Sequence, residues 1–229
     1  MKNLLLTLST VLITALGYSQ TAPILENFDS GFPVSWSQDI SDVFDWTLHS
    51  GGTQSSTTGP SDDMTGGGDY MYIETSLPRT TGDNAVMYSS DIDISSLTSG
   101  QLRFYSHMYG TSTGTLTVDV SDNGGSTYTN IFTKSGDQGN QWNEETVSLA
   151  SYSGTVTFRI TGIVSDDGAG TSWWGDIAID NFEVREAPTT YVPDDNFEQA
   201  LIDLGYDTYL DDYVVTDSIN TVTSLNLYN

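Results

Sequence analysis

The chain contains no cysteine, which excludes disulfide staples and thiolate metal centres alike. Basic residues are nearly as scarce: six Lys and Arg stand against 31 Asp and Glu, a net charge of -25. A polyanion of this strength is repelled by nucleic acid and anionic lipid, so neither is an expected partner. Divalent cations, by contrast, would offset its self-repulsion. Only two histidines occur, His49 and His107. They make no H-E-x-x-H or i,i+4 pair, which excludes a zinc protease of that kind. No G-x-S-x-G elbow or Walker loop is present, so serine-hydrolase and nucleotide chemistry lack their parts. Beyond the first twenty residues no apolar stretch approaches membrane length.

Aromatic residues fill the gap. With 13 Tyr, 8 Phe and 5 Trp, the chain has the material for a packed core and is not disordered by composition. Residues 1–19 read as a signal peptide. Lys2 supplies the positive end, residues 4–16 the apolar run, and Gly17-Tyr18-Ser19 a small-x-small cleavage pattern. No Cys follows, which argues against a lipid anchor, and the mature chain is expected to be exported.

From about Ala22 to Glu186 the pattern is one of short alternating runs broken by Gly, Asp, Asn, Ser and Thr. Strands are predicted at 70–74, 84–89, 102–110, 114–121, 129–134, 144–150, 154–163 and 176–185. Alternation is clearest where Leu116, Val118 and Val120 face one way and Thr115, Thr117 and Asp119 the other. Many strands without intervening helices point to an all-β antiparallel sandwich or jelly roll, read as one domain over 22–186. Residues 187–191 (Ala187-Pro188-Thr189-Thr190-Tyr191) then read as a linker. Beyond it, Phe197, Leu201 and Leu204 share a helical face, Asp195 and Glu198 have capping-box spacing, and Gly205 supplies a stop.

Several motifs carry a resemblance. FDWTLHSGG (44–52), TGPSDDMTGGGDYMYIETS (58–76), LRFYSHMYG (102–110), Trp142 before a strand, and GDIAIDNFEV (175–184) are similar, in order and spacing, to those of a MAM domain. The resemblance covers residues 24–186 and implies an extracellular adhesion or recognition module with a two-sheet jelly-roll fold. The family's common cysteines are missing here. Its usual Asp-His-Thr reads Asp63-Met64-Thr65, and its paired Asp near the end reads Asp180-Asn181. The tail, 192–229, resembles the cap and first repeat of a bacterial leucine-rich repeat array, with Val222, Leu225 and Leu227 in an LxxLxL rhythm. One repeat cannot bury its own face, so this segment is expected to be part of a longer protein.

A jelly roll sets its first and last strands side by side. Asp29 at the entry, Asp63 in the long loop and Asp180 on the last strand can then converge, and hard oxygen ligands without His or Cys suit calcium. Some members of the resembled family hold a cation in such a place. The alternative is that Asp62 and Asp63 are solvated loop acids. Glycosidase chemistry is disfavoured: the E-x-D-x-x-E strand of jelly-roll glucanases has Ala178 at its first position, and Glu144 and Glu145 are adjacent and point to opposite faces. SDNGGSTY (121–128) reads as a hairpin turn with Gly at positive-φ positions. Trp173 and Trp174 place one indole inward and one outward, the outer being a candidate contact for sugar or protein.

The expectation is a secreted or cell-surface, non-catalytic module that binds protein or glycan and is stabilised by calcium. The alternatives are a carbohydrate-binding module and an ancillary domain of a secreted protease.

Overall fold

The computed structural model describes residues 19–225. The segment up to Tyr18, which holds nearly all of the expected signal peptide, and the last four residues, with Leu227 and Asn229 of the repeat motif, lie outside them. In chain order the first strands are β1 (Ser19–Thr21), β2 (Ile24–Glu26), β3 (Ser37–Gln38), β4 (Thr47–Ser50), β5 (Asp69–Ile73), β6 (Asn84–Tyr88), β7 (Asp91–Asp93) and β8 (Gly100–Met108). They are followed by β9 (Thr115–Ser121), β10 (Thr129–Ser135), β11 (Asn143–Ser148), β12 (Thr155–Ile163) and β13 (Ile177–Glu186).

These strands form two sheets. In one, β12 is flanked by β9 and then β10 on one side, and by β6 and β7, backed by β3 and β1, on the other. In the second, β13 is central, with β8 and β11 on one side and β5, β4 and β2 on the other. Every pairing is antiparallel except β1 with β7. The all-β sandwich expected from the alternation is therefore the observed fold. Leu116, Val118 and Val120 are buried as their period of two requires. The strands that the sequence reading passed over are the shortest ones, β1 to β4 and β7. Two to four residues are too few for a periodic signal.

Between the sheets the core is rich in aromatics. The Phe182 ring lies edge-on to Trp36 at 5.3 Å and to Phe158 at 5.4 Å, and stacks with Phe104 at 6.2 Å. Such pairs add about 0.5–1.5 kcal/mol each beyond the area they bury. A bulge puts Phe182 there. The register of β13 against β8 shifts between Asp180 and Glu183, and Asn181 takes the left-handed conformation at φ 48°. The extra residue reverses parity, so Ile177 and Ile179 before it and Phe182 and Val184 after it all face inward. Asn tolerates that backbone better than most side chains.

Charge is distributed unevenly over this frame. Of the basic residues that are described, Arg103 pairs with Glu183 and Glu144, Lys134 with Glu145, Arg159 with Asp119, and Arg185 with Glu183. Arg79 stacks over Phe44 at 4.3 Å. Lys134 on β10 and Glu145 on β11 join edge strands of the two sheets, and Ser106 Oγ also donates to Glu145 at 2.7 Å. Glu144 faces outward to the Tyr105 hydroxyl, so the two adjacent glutamates do point to opposite faces.

After the sandwich come β14 (Thr189–Tyr191), α1 (Asp195–Asp203), β15 (Tyr213–Val215) and α2 (Thr216–Ile219). β14 pairs with β15, so part of the expected linker is a strand. Helix α1 is capped one residue earlier than expected: Asp194 accepts from the Asn196 and Phe197 amides. Glu198 does not complete a capping box. It is fully buried and accepts from the Asp211 and Tyr213 amides instead. Gly205, at φ 80°, ends the helix as expected. Only Leu201 of the expected helical face is buried, in a small cluster with Val192 and Val214. Phe197 and Leu204 are exposed. In the tail, residues 222–225 form no strand, and Leu225 packs against that cluster.

Candidate functional site

The long loop between β4 and β5 lies across the outer face of the second sheet. An aromatic patch supports it from below, with Tyr70 set 5.7 Å from Trp142 and His107 5.4 Å from Trp142. Two bonds pin the loop to that patch: the Tyr70 hydroxyl donates to Gly51 O at 2.7 Å, and Trp142 Nε1 donates to Asp62 O at 3.1 Å. Burial lowers the His107 pKa to about 4, so the ring is neutral, as a sheet-face residue should be.

Asp29, Asp63 and Asp180 all reach this loop. Asp63 Oδ1 accepts from the Gly68 amide at 2.9 Å, and Oδ2 accepts from the Thr65 amide and hydroxyl. Asp29 Oδ1 accepts from the Asp69 amide at 2.9 Å. Asp180 Oδ2 accepts from the Met64 amide at 3.0 Å, and Oδ1 from the Asn181 amide. Gly68 sits where a Cβ would lie 2.0 Å from Asp29 Oδ1 and 3.0 Å from Asp63 Oδ2. These two carboxylates therefore flank one point of the loop. An open depression of about 290 Å³ adjoins it, lined by Asp29, Thr65, Gly66, Gly67, Gly68 and Asp69.

The electrostatics differ along the trio. Burial pushes Asp63 up, but the bonds from Thr65, Gly68 and Gly66 outweigh it and hold the carboxyl below its ordinary value. Asp180 is pushed up to about 6, first by burial; the Met64 and Asn181 amides oppose this, and the charges of Asp63 and Asp29 add to it. The donor set is all oxygen, which suits a hard cation. Each of these carboxylates already accepts hydrogen bonds within the protein. Among the described residues, no group of three or more His, Cys, Asp or Glu side chains has the spacing to hold a metal ion.

Beyond the trio, Asp176, which the sequence reading left aside, immediately precedes β13. It is fully buried, and its Oδ2 has no hydrogen-bond partner among the described residues. Burial, then the neighbouring Glu74, push its pKa up to about 7. The alternation GDIAID was the available signal, since 176, 178 and 180 share a face. Of the paired indoles, Trp173 is 48% exposed and Trp174 half-buried. The 121–128 segment is the hairpin turn between β9 and β10, with Gly124 and Gly125 at positive φ.

The family model of the MAM domain (meprin/A5/mu) matches residues 27–188, nearly the whole sandwich. The chain belongs to the MAM family. Human MAM domain-containing glycosylphosphatidylinositol anchor protein 1 is 36% identical over 172 residues, covering 70% of this chain and 17% of that protein. Its human counterpart, protein 2, is 34% identical over 182 residues, covering 72% and 18%. The chain thus spans under a fifth of the curated relatives it matches. Among solved structures, the K1 cleaved adhesin domain of Lys-gingipain from Porphyromonas gingivalis superposes with a TM-score of 0.49 at 18% identity, over 72% of this chain and 98% of that one. Within the MAM domain, the Asp29–Asp63–Asp180 loop site joins the entry, the long loop and the last strand.

Proposed function

We propose that this MAM domain is a non-catalytic recognition module of a secreted or cell-surface protein, and that it binds protein or glycan outside the cell. The observation that carries the reading is the family match across residues 27–188. Among the described residues no helix is long and apolar enough to cross a membrane. Calcium belongs to the proposal, with Asp29, Asp63 and Asp180 as its holders. Its support is their all-oxygen chemistry and their shared loop. The leucine-rich repeat reading of residues 192–229 is likewise kept as a proposal, resting on the rhythm of Val222, Leu225 and Leu227.

The test is staining of intact cells with the whole chain, multimerised on a labelled carrier. Saturable staining lost after protease treatment of the cells supports a protein partner, and staining lost after glycosidase treatment supports glycan. Absence of saturable staining on every cell type and matrix tried would sink the reading. Exposed Trp173 gives the glycan version its own check: Trp173→Ala should abolish binding to a polysaccharide that the unaltered chain retains.

A further inference from the structure

A groove of about 660 Å³ separates the sandwich from the β14–α2 unit, within the size range of ligand sites. One wall comes from Thr98–Gln101 and Glu186 of the sandwich, the other from Tyr206–Tyr209, Asp211, Tyr213 and Asp217. The walls are tied at one end, where Gln101 Nε2 donates to Asp217 Oδ2 at 2.7 Å. Tyr209 is 66% exposed, and Tyr213 is half-exposed with its ring 5.3 Å from Tyr191. Large aromatic side chains left in water beside a concavity mark a contact surface more often than isolated apolar residues do.

The groove's charge is of one sign. Glu186, Asp207, Asp211 and Asp217 line it, and among the described residues no basic one does. Nearby Arg185 reaches Gln101 Oε1 from outside and is drawn toward Glu183. Asp207 Oδ2 is buried in the wall with no hydrogen-bond partner among the described residues. A neutral ligand would leave these carboxylates uncompensated, and an anionic one would be repelled. Tyrosine faces and carboxylates together suit a cation, because the ring quadrupole and the acids attract the same charge.

We propose that this groove binds a basic segment of a protein partner, seating an arginine or lysine side chain among Tyr206, Tyr209 and Tyr213 with Asp207, Asp211 and Asp217 as counter-charges. The inference rests on the recognition reading above and names the chemistry of one partner surface. It does not involve the loop site.

The probe is a short capped peptide, Gly-Arg-Gly-Arg-Gly, titrated calorimetrically into the whole chain, with the matched citrulline peptide as its neutral isostere. The Arg peptide should bind about tenfold more tightly than the citrulline peptide. Tyr209→Ala and the pair Asp211→Asn with Asp217→Asn should each lower its affinity severalfold. The remote pair Asp45→Asn with Asp122→Asn removes the same charge from exposed sites and should leave affinity unchanged. Equal loss in the remote pair would reduce the effect to general attraction by an acidic chain and overturn the proposal. So would equal binding of the citrulline peptide, or occupation by a neutral oligosaccharide that Tyr209→Ala abolishes. Failure here with saturable cell staining intact would leave the recognition reading standing and remove only this groove.

Discussion

Asp180 on the last strand of the sandwich accepts a hydrogen bond from the Met64 amide at 3.0 Å, across 116 positions of sequence. With Asp63 bound to Thr65 and Gly68 on the same loop, it fastens a glycine-rich segment that has little side-chain packing of its own. Anything that draws these carboxylates together should therefore be read out as stability.

Calcium is the first test. A ligand that binds only the folded chain stabilises it by about 2.7 kcal/mol at a hundredfold excess over its Kd. Millimolar calcium should raise the melting temperature by several degrees, chelator should reverse this, and magnesium should substitute poorly. Asp63→Asn and Asp180→Asn should each remove the shift, and Asp62→Asn should not. A shift that survives both ligand substitutions means general screening of an acidic surface and refutes the site.

Gly68 offers a test that needs no metal. A Cβ there would meet Asp29 Oδ1 at 2.0 Å, so Gly68→Ala should cost about 1–3 kcal/mol by overpacking. Adding Asp29→Ala to Gly68→Ala should return most of that loss. Denaturant melts of the four members of the cycle decide it, and additive effects would show that the contact is unimportant.

The buried titratable groups give opposite pH slopes. Asp176 has a folded pKa of about 7 against an ordinary value of 3.8, so stability should fall as pH rises from about 4 to 7 and then level off. Asp180, at about 6, acts with the same sign. His107 has a folded pKa of about 4 against 6.5, so its contribution is present above pH 6.5 and is lost as pH falls toward 4. Asp176→Asn should flatten the loss on the alkaline side and leave a steeper acid limb. A profile between pH 4 and 8 that Asp176→Asn leaves unchanged would contradict the raised pKa of Asp176.

The edges of the sandwich depend on Lys134 and Glu145. Glu145 is almost fully buried, so Lys134→Met should leave an uncompensated charge and cost about 3–5 kcal/mol. Lys134→Met with Glu145→Gln should recover much of this, seen as a partial return of the thermal midpoint. A double variant as unstable as the single one would show that packing, not charge, holds the edge.

The long strands were legible because their apolar residues alternate over seven to ten positions. The bulge at Asn181 was not, because a reversal of parity looks like noise until its partner strand is known. At the candidate site, the three acids could be picked from sequence only through the expected fold. What they share, the backbone amides of residues 64 to 69, has no sequence signal at all, since every residue except proline carries one. Asp176 was visible in the alternation, but its missing partner was not. The groove at the C-terminal junction lay beyond any local pattern, for its walls come from residues about a hundred positions apart.

The engagement of Arg79, Arg103, Lys134, Arg159 and Arg185 within the fold has a colloidal consequence. Two copies of this module approach each other as like-charged particles, with every described cation already engaged within its own fold. Light scattering at low ionic strength should give a strongly positive second virial coefficient that collapses as the Debye length shrinks from about 30 Å to 8 Å. Adhesion between identical surfaces coated with this chain would then depend on the ions between them, and a heterologous partner is the easier match.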